Sequence, residues 1–321
     1  MTTEELIIKD KDFANQLEGK ILPFLKSNIK DGYFTNRDGL KQYYQILINS
    51  QEKGSIVICH GYSEFTTKFS ETMYYFYEMG YSVFIVDHRG HGMSDRQVSG
   101  YSKIHVNHFE DYVEDFHEFV EKIVIPESLT ENLLLFAHSM GGAIASLYME
   151  KYPNDFSKAV LTSPMIALNT SGKSNFVVGL VKFLSHIPFL TKAYMPKQHD
   201  YDHKFKYPYC SSMSKARYTF TYQERERVPE YRTDGCTYGW AREAINVSKK
   251  ILKNAHLISI PVILMQASMD TLVLPEPQSQ FAQLVPNCRL VRFDGCKHEI
   301  FNATDDIILD YYKMVFDFYN E

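Results

Sequence analysis

One stretch narrows the possible folds more than any other. Leu133-Leu134-Leu135-Phe136-Ala137 is followed directly by His138-Ser139-Met140-Gly141-Gly142 and a helical pattern through Lys151. A short, wholly apolar run reads as a strand buried on both faces, as in a parallel sheet. Passing from such a strand into a helix within a tight turn leaves little room where the two backbones meet, and Gly141 supplies that room. This is the pattern of a nucleophile elbow, in which a strained serine stands exposed at the carboxyl end of the strand. Ala137 stands where the motif usually carries its first glycine, a mild departure because a methyl group is the smallest side chain. A serine capping an ordinary strand-to-helix turn is the plainer reading of the same residues.

Similar apolar runs recur at 55–59, 82–87, 159–162, 261–266 and 288–293, separated by helical patterns such as 109–124. That alternation predicts an α/β fold, a mostly parallel central sheet with helices on both faces. Asp38-Gly39 between two strand-like stretches predicts a hairpin, and the charged first thirty residues suggest a surface helix. The alternation stops near Pro164 and resumes near Pro261. Residues 166–256 carry 15 Lys and Arg against 7 Asp and Glu, whereas the rest of the chain carries 19 against 32. A basic insertion in an acidic body suggests a separate role. Apolar residues at helical spacing (Phe176, Val177, Leu180, Val181, Leu184, then Trp240, Ala244, Val247, Ile251) make that insertion mainly helical. The expected organisation is a core of residues 1–165 and 257–321 carrying an inserted cap of residues 166–256.

A serine hydroxyl needs a base, and the base needs a group to orient it. Asp270 follows the 261–266 run and His298 follows the 288–293 run, each in a loop. Alone, either is more simply a turn cap or a solvated group. Together, each after a strand and in the order Ser139, Asp270, His298, they form a candidate catalytic triad. The run 55–59 ends in His60-Gly61-Tyr62, whose turn can aim the Tyr62 amide at the same place. The Met140 amide, beside the serine, is the second candidate oxyanion donor. His60 reads as a loop brace, as does the Asp87–Ser94 segment, since His88 and His91 lack the further ligands of a hydrolytic metal centre.

Composition excludes several classes. A chain of 321 residues, 45% hydrophobic and 23% charged, is neither disordered nor fibrous, and a net charge of −5 gives no reason to expect nucleic acid. Five scattered cysteines without a CxxC pair predict free thiols in a reducing compartment. The start Met1-Thr2-Thr3-Glu4-Glu5 lacks an export signal, so a cytoplasmic location is expected, peripheral at the membrane if the cap binds lipid. No cofactor and no metal are expected.

These residues together resemble the α/β-hydrolase superfamily, in the branch of monoacylglycerol lipases and bacterial lysophospholipases. The resemblance lies in His60-Gly61-Tyr62, Asp87–Ser94, His138-Ser139-Met140-Gly141-Gly142, Ser163-Pro164-Met165, Asp270 with Val273, and His298-Glu299. The stretches 105–112, 238–243 and 297–301 are most similar to the lysophospholipase L2 type. The resemblance implies a serine ester hydrolase with Ser139 as nucleophile, His298 as base and Asp270 as orienting acid. It implies a single-chain lipid ester as substrate, lysophospholipid or monoacylglycerol. A short-chain carboxylesterase, an acyltransferase and a non-catalytic binding protein are the alternatives. Trp240 and Arg217 are the expected substrate contacts, with Lys215 and Arg242 as further candidates for a phosphate. The basic cap and its apolar stripe suggest contact with an anionic membrane, unless the stripe packs on the core.

Overall fold

Successive side chains of a strand point to opposite faces, and the central strands here feed two separate cores. In the strand at 55–59, Val57 and Cys59 pack on one side of the sheet while Ile56 and Ile58 pack on the other. The protein is a computed structural model in which residues 2–170, 172 and 175–321 are described, with the side chains of Asn175 and Val177 outside the description. Eight strands make one sheet: β1 (Ile29–Thr35), β2 (Lys41–Leu47), β3 (Ser55–Cys59), β4 (Ser82–Val86), β5 (Leu133–His138), β6 (Lys158–Thr162), β7 (Val262–Ala267) and β8 (Cys288–Phe293). Their spatial order is β1-β2-β4-β3-β5-β6-β7-β8. The predicted hairpin is β1–β2, turning at Gly39 with φ +80°. β2 also runs antiparallel to β4, and every pairing from β4 to β8 is parallel.

The helices used below are α1 (Ser70–Glu78), α2 (Glu110–Phe119), α3 (Met140–Lys151), α4 (Asn175–Leu184), α5 (Lys215–Arg227), α6 (Tyr238–Asn254), α7 (Pro275–Leu284) and α8 (Asp305–Asn320). Tyr112 of α2, Ile144 of α3, Val247 of α6 and Phe281 of α7 share one core; Met73 of α1 and Val315 of α8 belong to the other. Each large apolar side chain so buried contributes roughly 1.5–3 kcal/mol.

The N-terminal expectation needs correction. Short helical segments do run from Asp10 to Asn28, but Phe13, Leu17, Ile21 and Leu25 are buried at four-residue spacing. One face of this stretch therefore belongs to the core, and Phe13 meets Phe220 of α5 with ring centres 6.3 Å apart.

Between β6 and β7 the described residues form helices, turns and isolated bridges only. α6 buries the anticipated face of Trp240, Ala244, Val247 and Ile251. α4 behaves differently: Phe176 is 79% exposed and Phe183 69%, Leu180 is also exposed, and so is Phe189 just beyond the helix. Val181 and Leu184 are half-buried, so only part of that stripe packs inward.

The turn from β5 to α3 is tightly packed. A methyl group on Gly141 would stand 2.0 Å from the Cys59 carbonyl oxygen, and one on Gly142 would stand 2.4 Å from Pro164 Cβ. Gly141→Ala is therefore expected to lower unfolding stability by about 2–4 kcal/mol, read as a falling urea midpoint. Gly19→Ala, in open helical surroundings with nothing within 4 Å, should be neutral or stabilising by up to ~1 kcal/mol.

Candidate active site

The carboxyl ends of the neighbouring strands β3, β5, β6, β7 and β8 lie at one rim of the sheet, where open α/β sheets bind ligands. Ser139 sits at the end of β5 with φ +53° and ψ −118°, a conformation that costs an L-residue about 1–3 kcal/mol. Its backbone is held on both sides. The Ser139 N–H donates to the Thr162 carbonyl at 3.1 Å, and the Ser139 carbonyl accepts from Gly142 and Met165, both at 2.8 Å.

Asp270 and His298 are brought together. His298 Nδ1 lies 2.5 Å from Asp270 Oδ2, and Asp270 Oδ1 accepts from the Leu272 and Val273 amides at 2.8 and 3.2 Å. Burial raises the Asp270 carboxyl, but the His298 hydrogen bond and charge outweigh it and hold it below its ordinary value. Nδ1 bound to carboxylate leaves Nε2 as the outward nitrogen, and among the described residues it has no hydrogen-bond partner. His298 and Ser139 line the same cavity, of about 260 Å³. Their direct hydrogen bond is not made in this structure; such bonds are often long before substrate binds.

Tyr62 lines that cavity too, and its loop presses against the serine: a Cβ on Gly61 would stand 3.0 Å from Ser139 Cβ. Met140 opens α3, so its amide has no partner within the helix. His60 braces this loop, with Nδ1 2.8 Å from the Gly61 carbonyl and Nε2 accepting from the His88 amide at 3.0 Å. Burial lowers its pKa to about 4, which keeps it neutral in that role. Asp87 likewise ties two loops, accepting from the Thr66 and Met93 amides at 2.6 and 2.8 Å.

The floor of the cavity holds a charge cluster that the sequence reading missed. Lys68 Nζ lies between Glu64 at 2.7 Å and Glu299 at 2.9 Å, and Glu64 Oε2 is 3.0 Å from His138 Nδ1. Burial raises both carboxyls, yet Lys68 holds the Glu299 carboxyl down to about 2, and His138 and Lys68 hold Glu64 well below its usual value. Glu64 and Lys68 stand four apart directly after β3, a spacing that could have suggested a pair, but Glu299 is remote in sequence.

The two expected substrate contacts are elsewhere. Arg217 is 2% exposed and locked to Glu71 by two 2.7 Å hydrogen bonds, with a third to the Ile8 carbonyl at 2.9 Å. Its neighbours are the N-terminal segment and α1, so it fastens α5 to the core and does not reach the cavity. Trp240 is 5% exposed and backs Tyr62, with ring centres 4.4 Å apart. It supports a residue of the cavity without lining it. Arg242 pairs with Glu243 at 2.8 Å, and Lys215 borders a separate groove with Phe13 and Phe220.

The family model for serine aminopeptidase S33 matches residues 50–305. The chain belongs to this family. It is 28% identical to a probable lysophospholipase L2 of Haemophilus influenzae, over 98% of this chain and 99% of that relative. It is 29% identical to the lysophospholipase L2 of Escherichia coli strain K12, over 97% of this chain and 93% of the relative. A solved soluble variant of the Saccharomyces cerevisiae monoglyceride lipase, in complex with a substrate analog, matches with a TM-score of 0.70 at 22% identity. That match covers 91% of this chain and 96% of the other, and it shows the α/β-hydrolase fold. The chain is thus a hydrolase of the α/β-hydrolase superfamily, in the branch its motifs resemble. No helix among the described residues is long and apolar enough to cross a membrane.

Two outcomes follow from the buried charges. Arg217→Met strands Glu71 and should lower stability by about 3–5 kcal/mol in urea unfolding, while KM of the folded fraction stays at the wild-type value. Glu299, held at about 2, contributes stability that is complete above the ordinary carboxylate value and lost as pH falls through about 2. Wild-type unfolding free energy should therefore decline between about pH 4.5 and 2 more steeply than that of Glu299→Gln.

Proposed function

We propose that the protein is a serine carboxylic-ester hydrolase that cleaves single-acyl-chain lipids, lysophospholipid or monoacylglycerol, through an acyl-enzyme on Ser139. The observation that carries this reading is His298, held by Asp270, lining one cavity with a serine in an elbow conformation. The relatives named lysophospholipase L2 and monoglyceride lipase support the choice of a lipid with one acyl chain.

In this mechanism Ser139 Oγ attacks the ester carbonyl carbon while His298 Nε2 takes the hydroxyl proton. The Tyr62 and Met140 amides hold the oxyanion. The carbon–oxygen bond to the alcohol breaks, and the alcohol leaves with the proton from His298. His298 then takes a proton from water as its oxygen attacks the acyl group, and Ser139 departs reprotonated with the free fatty acid released. Asp270 keeps Nδ1–H engaged, which fixes the tautomer and steadies the imidazolium.

The exposed Phe176, Leu180 and Phe183 form an apolar face of α4 on a basic insertion, with exposed Phe189 following in the next helical turn. This face favours peripheral contact of the cap with an anionic membrane, by buried apolar area and charge together.

Ser139→Ala should lower turnover by roughly 10⁴-fold or more with unchanged unfolding behaviour, and should abolish labelling by a fluorophosphonate probe. Near-normal ester hydrolysis by the purified variant would mean that another residue is the nucleophile. Phe176→Glu with Phe183→Glu should weaken partitioning onto anionic vesicles by tenfold or more, about 1.4 kcal/mol. Unchanged partitioning in a sedimentation assay would remove this face as the membrane contact.

A further inference from the structure

α5 presents Tyr218, Thr221, Tyr222 and Arg225 to the cavity that holds Ser139 and His298. Their spacing of i, i+3, i+4 and i+7 marks one face of the helix. An inward helix face is ordinarily apolar, and a wall for an acyl chain would be apolar as well. Here every residue of the face carries a hydroxyl or a guanidinium. This wall is polar where an acyl-chain wall would be apolar.

The same face holds a cationic loop in place. Tyr222 Oη donates to the His203 carbonyl, and the Lys206 amide donates to Tyr218 Oη, both at 3.0 Å. The loop so anchored adds Lys204 and Lys206 to the cavity. Lys206 is engaged by Asp202 at 2.6 Å. Among the described residues Lys204 and Arg225 make no ion pair with a carboxylate. Arg225 Nη2 donates to the Ser63 carbonyl at 2.5 Å, one residue beyond the proposed oxyanion donor Tyr62, while its Nε is buried without an acceptor. Arg225 is half-buried along the cavity, and a phosphate oxygen is the acceptor a guanidinium fits best. Asp234 also lines the cavity; burial raises its carboxyl while the Arg225 and Lys206 charges pull it down.

We propose that Lys204 and Arg225 bind the phosphodiester of the substrate's head group, so that the site selects a lysophospholipid over a monoacylglycerol. This inference rests on the ester-hydrolase reading above and supplies the substrate class that reading leaves open. The cations that do so are neither Arg217 nor Arg242, whose charges are used by Glu71 and Glu243.

The test is the ratio of kcat/KM for lysophosphatidylcholine to kcat/KM for a monoacylglycerol of the same chain length. Wild type should favour the lysophospholipid. Lys204→Ala should lower the ratio about fivefold and Arg225→Gln about tenfold, chiefly through KM, with Arg225→Lys recovering part of the loss. Lys204→Ala, at an exposed loop position, keeps the test valid if Arg225→Gln disturbs the Ser63 turn. Glycerophosphocholine should inhibit competitively and lose potency in Lys204→Ala. An unchanged ratio, with both substrates falling together, overturns the proposal, because the two residues then serve only the fold. Inorganic phosphate inhibiting as well as glycerophosphocholine also overturns it, by revealing a site for a free anion. Wild type cleaving monoacylglycerol but not lysophosphatidylcholine overturns it while the ester-hydrolase reading stands. Cleavage of neither lipid overturns both.

Discussion

The N-terminus of α3 runs so close to β3 that a hydrogen atom is all that fits at Gly141, opposite the Cys59 carbonyl. That approach leaves the chain one way to leave β5, through a residue with positive φ, and Ser139 occupies the position. The strain is local and worth about 1–3 kcal/mol, small beside the apolar burial of the two layers that clamp the turn. The rest of the rim is arranged around this fixed point. Gly61 lets the β3 loop close on the serine, and Pro164 after β6 packs over Gly142. Parallel strands deliver Asp270 and His298 to the same edge because β7 and β8 continue the order begun by β5 and β6.

Electrostatics then decide what this rim can hold. Two His–carboxylate pairs flank the serine, His298 with Asp270 and His138 with Glu64, their rings 4.9 Å apart. They differ in what lies behind them. Both carboxylates accept backbone amides, but Glu64 is also tied through Lys68 to Glu299 and further to Ser211 and Asn302. Desolvation offsets part of the attraction in a buried cluster of this kind. The cluster's effect is geometric: removing any one charge strands the others, so the floor of the cavity has a single arrangement.

Much of this was legible in the amino-acid order. The strands were visible because fully buried β-segments are short apolar runs, and the elbow because only small residues tolerate its contacts. The order of Ser139, Asp270 and His298 was visible because each follows a strand. The identity of the polar wall was not. Lys215, Arg217 and Arg242 carry the right charge for a phosphate, but charge does not reveal whether a partner is already in place, and Glu71 lies 146 residues before Arg217. The residues that do line the cavity, Tyr218, Thr221, Tyr222 and Arg225, carry a helical period that was readable but polar, and a search for apolar stripes passes over it. At the N-terminus, Phe13, Leu17, Ile21 and Leu25 repeat every four residues, a signal that the surrounding charges concealed.

Arg217 also has a mechanical meaning. It joins α5 to α1 through Glu71 and to the N-terminal segment through Ile8, and its guanidinium lies 4.8 Å from the centre of the Phe13 ring. Tilting α5 outward would uncover a carboxylate that pairs with no other cation among the described residues. The helix is therefore a fixed template rather than a hinged door, and an incoming molecule must conform to its contour instead of pushing it aside.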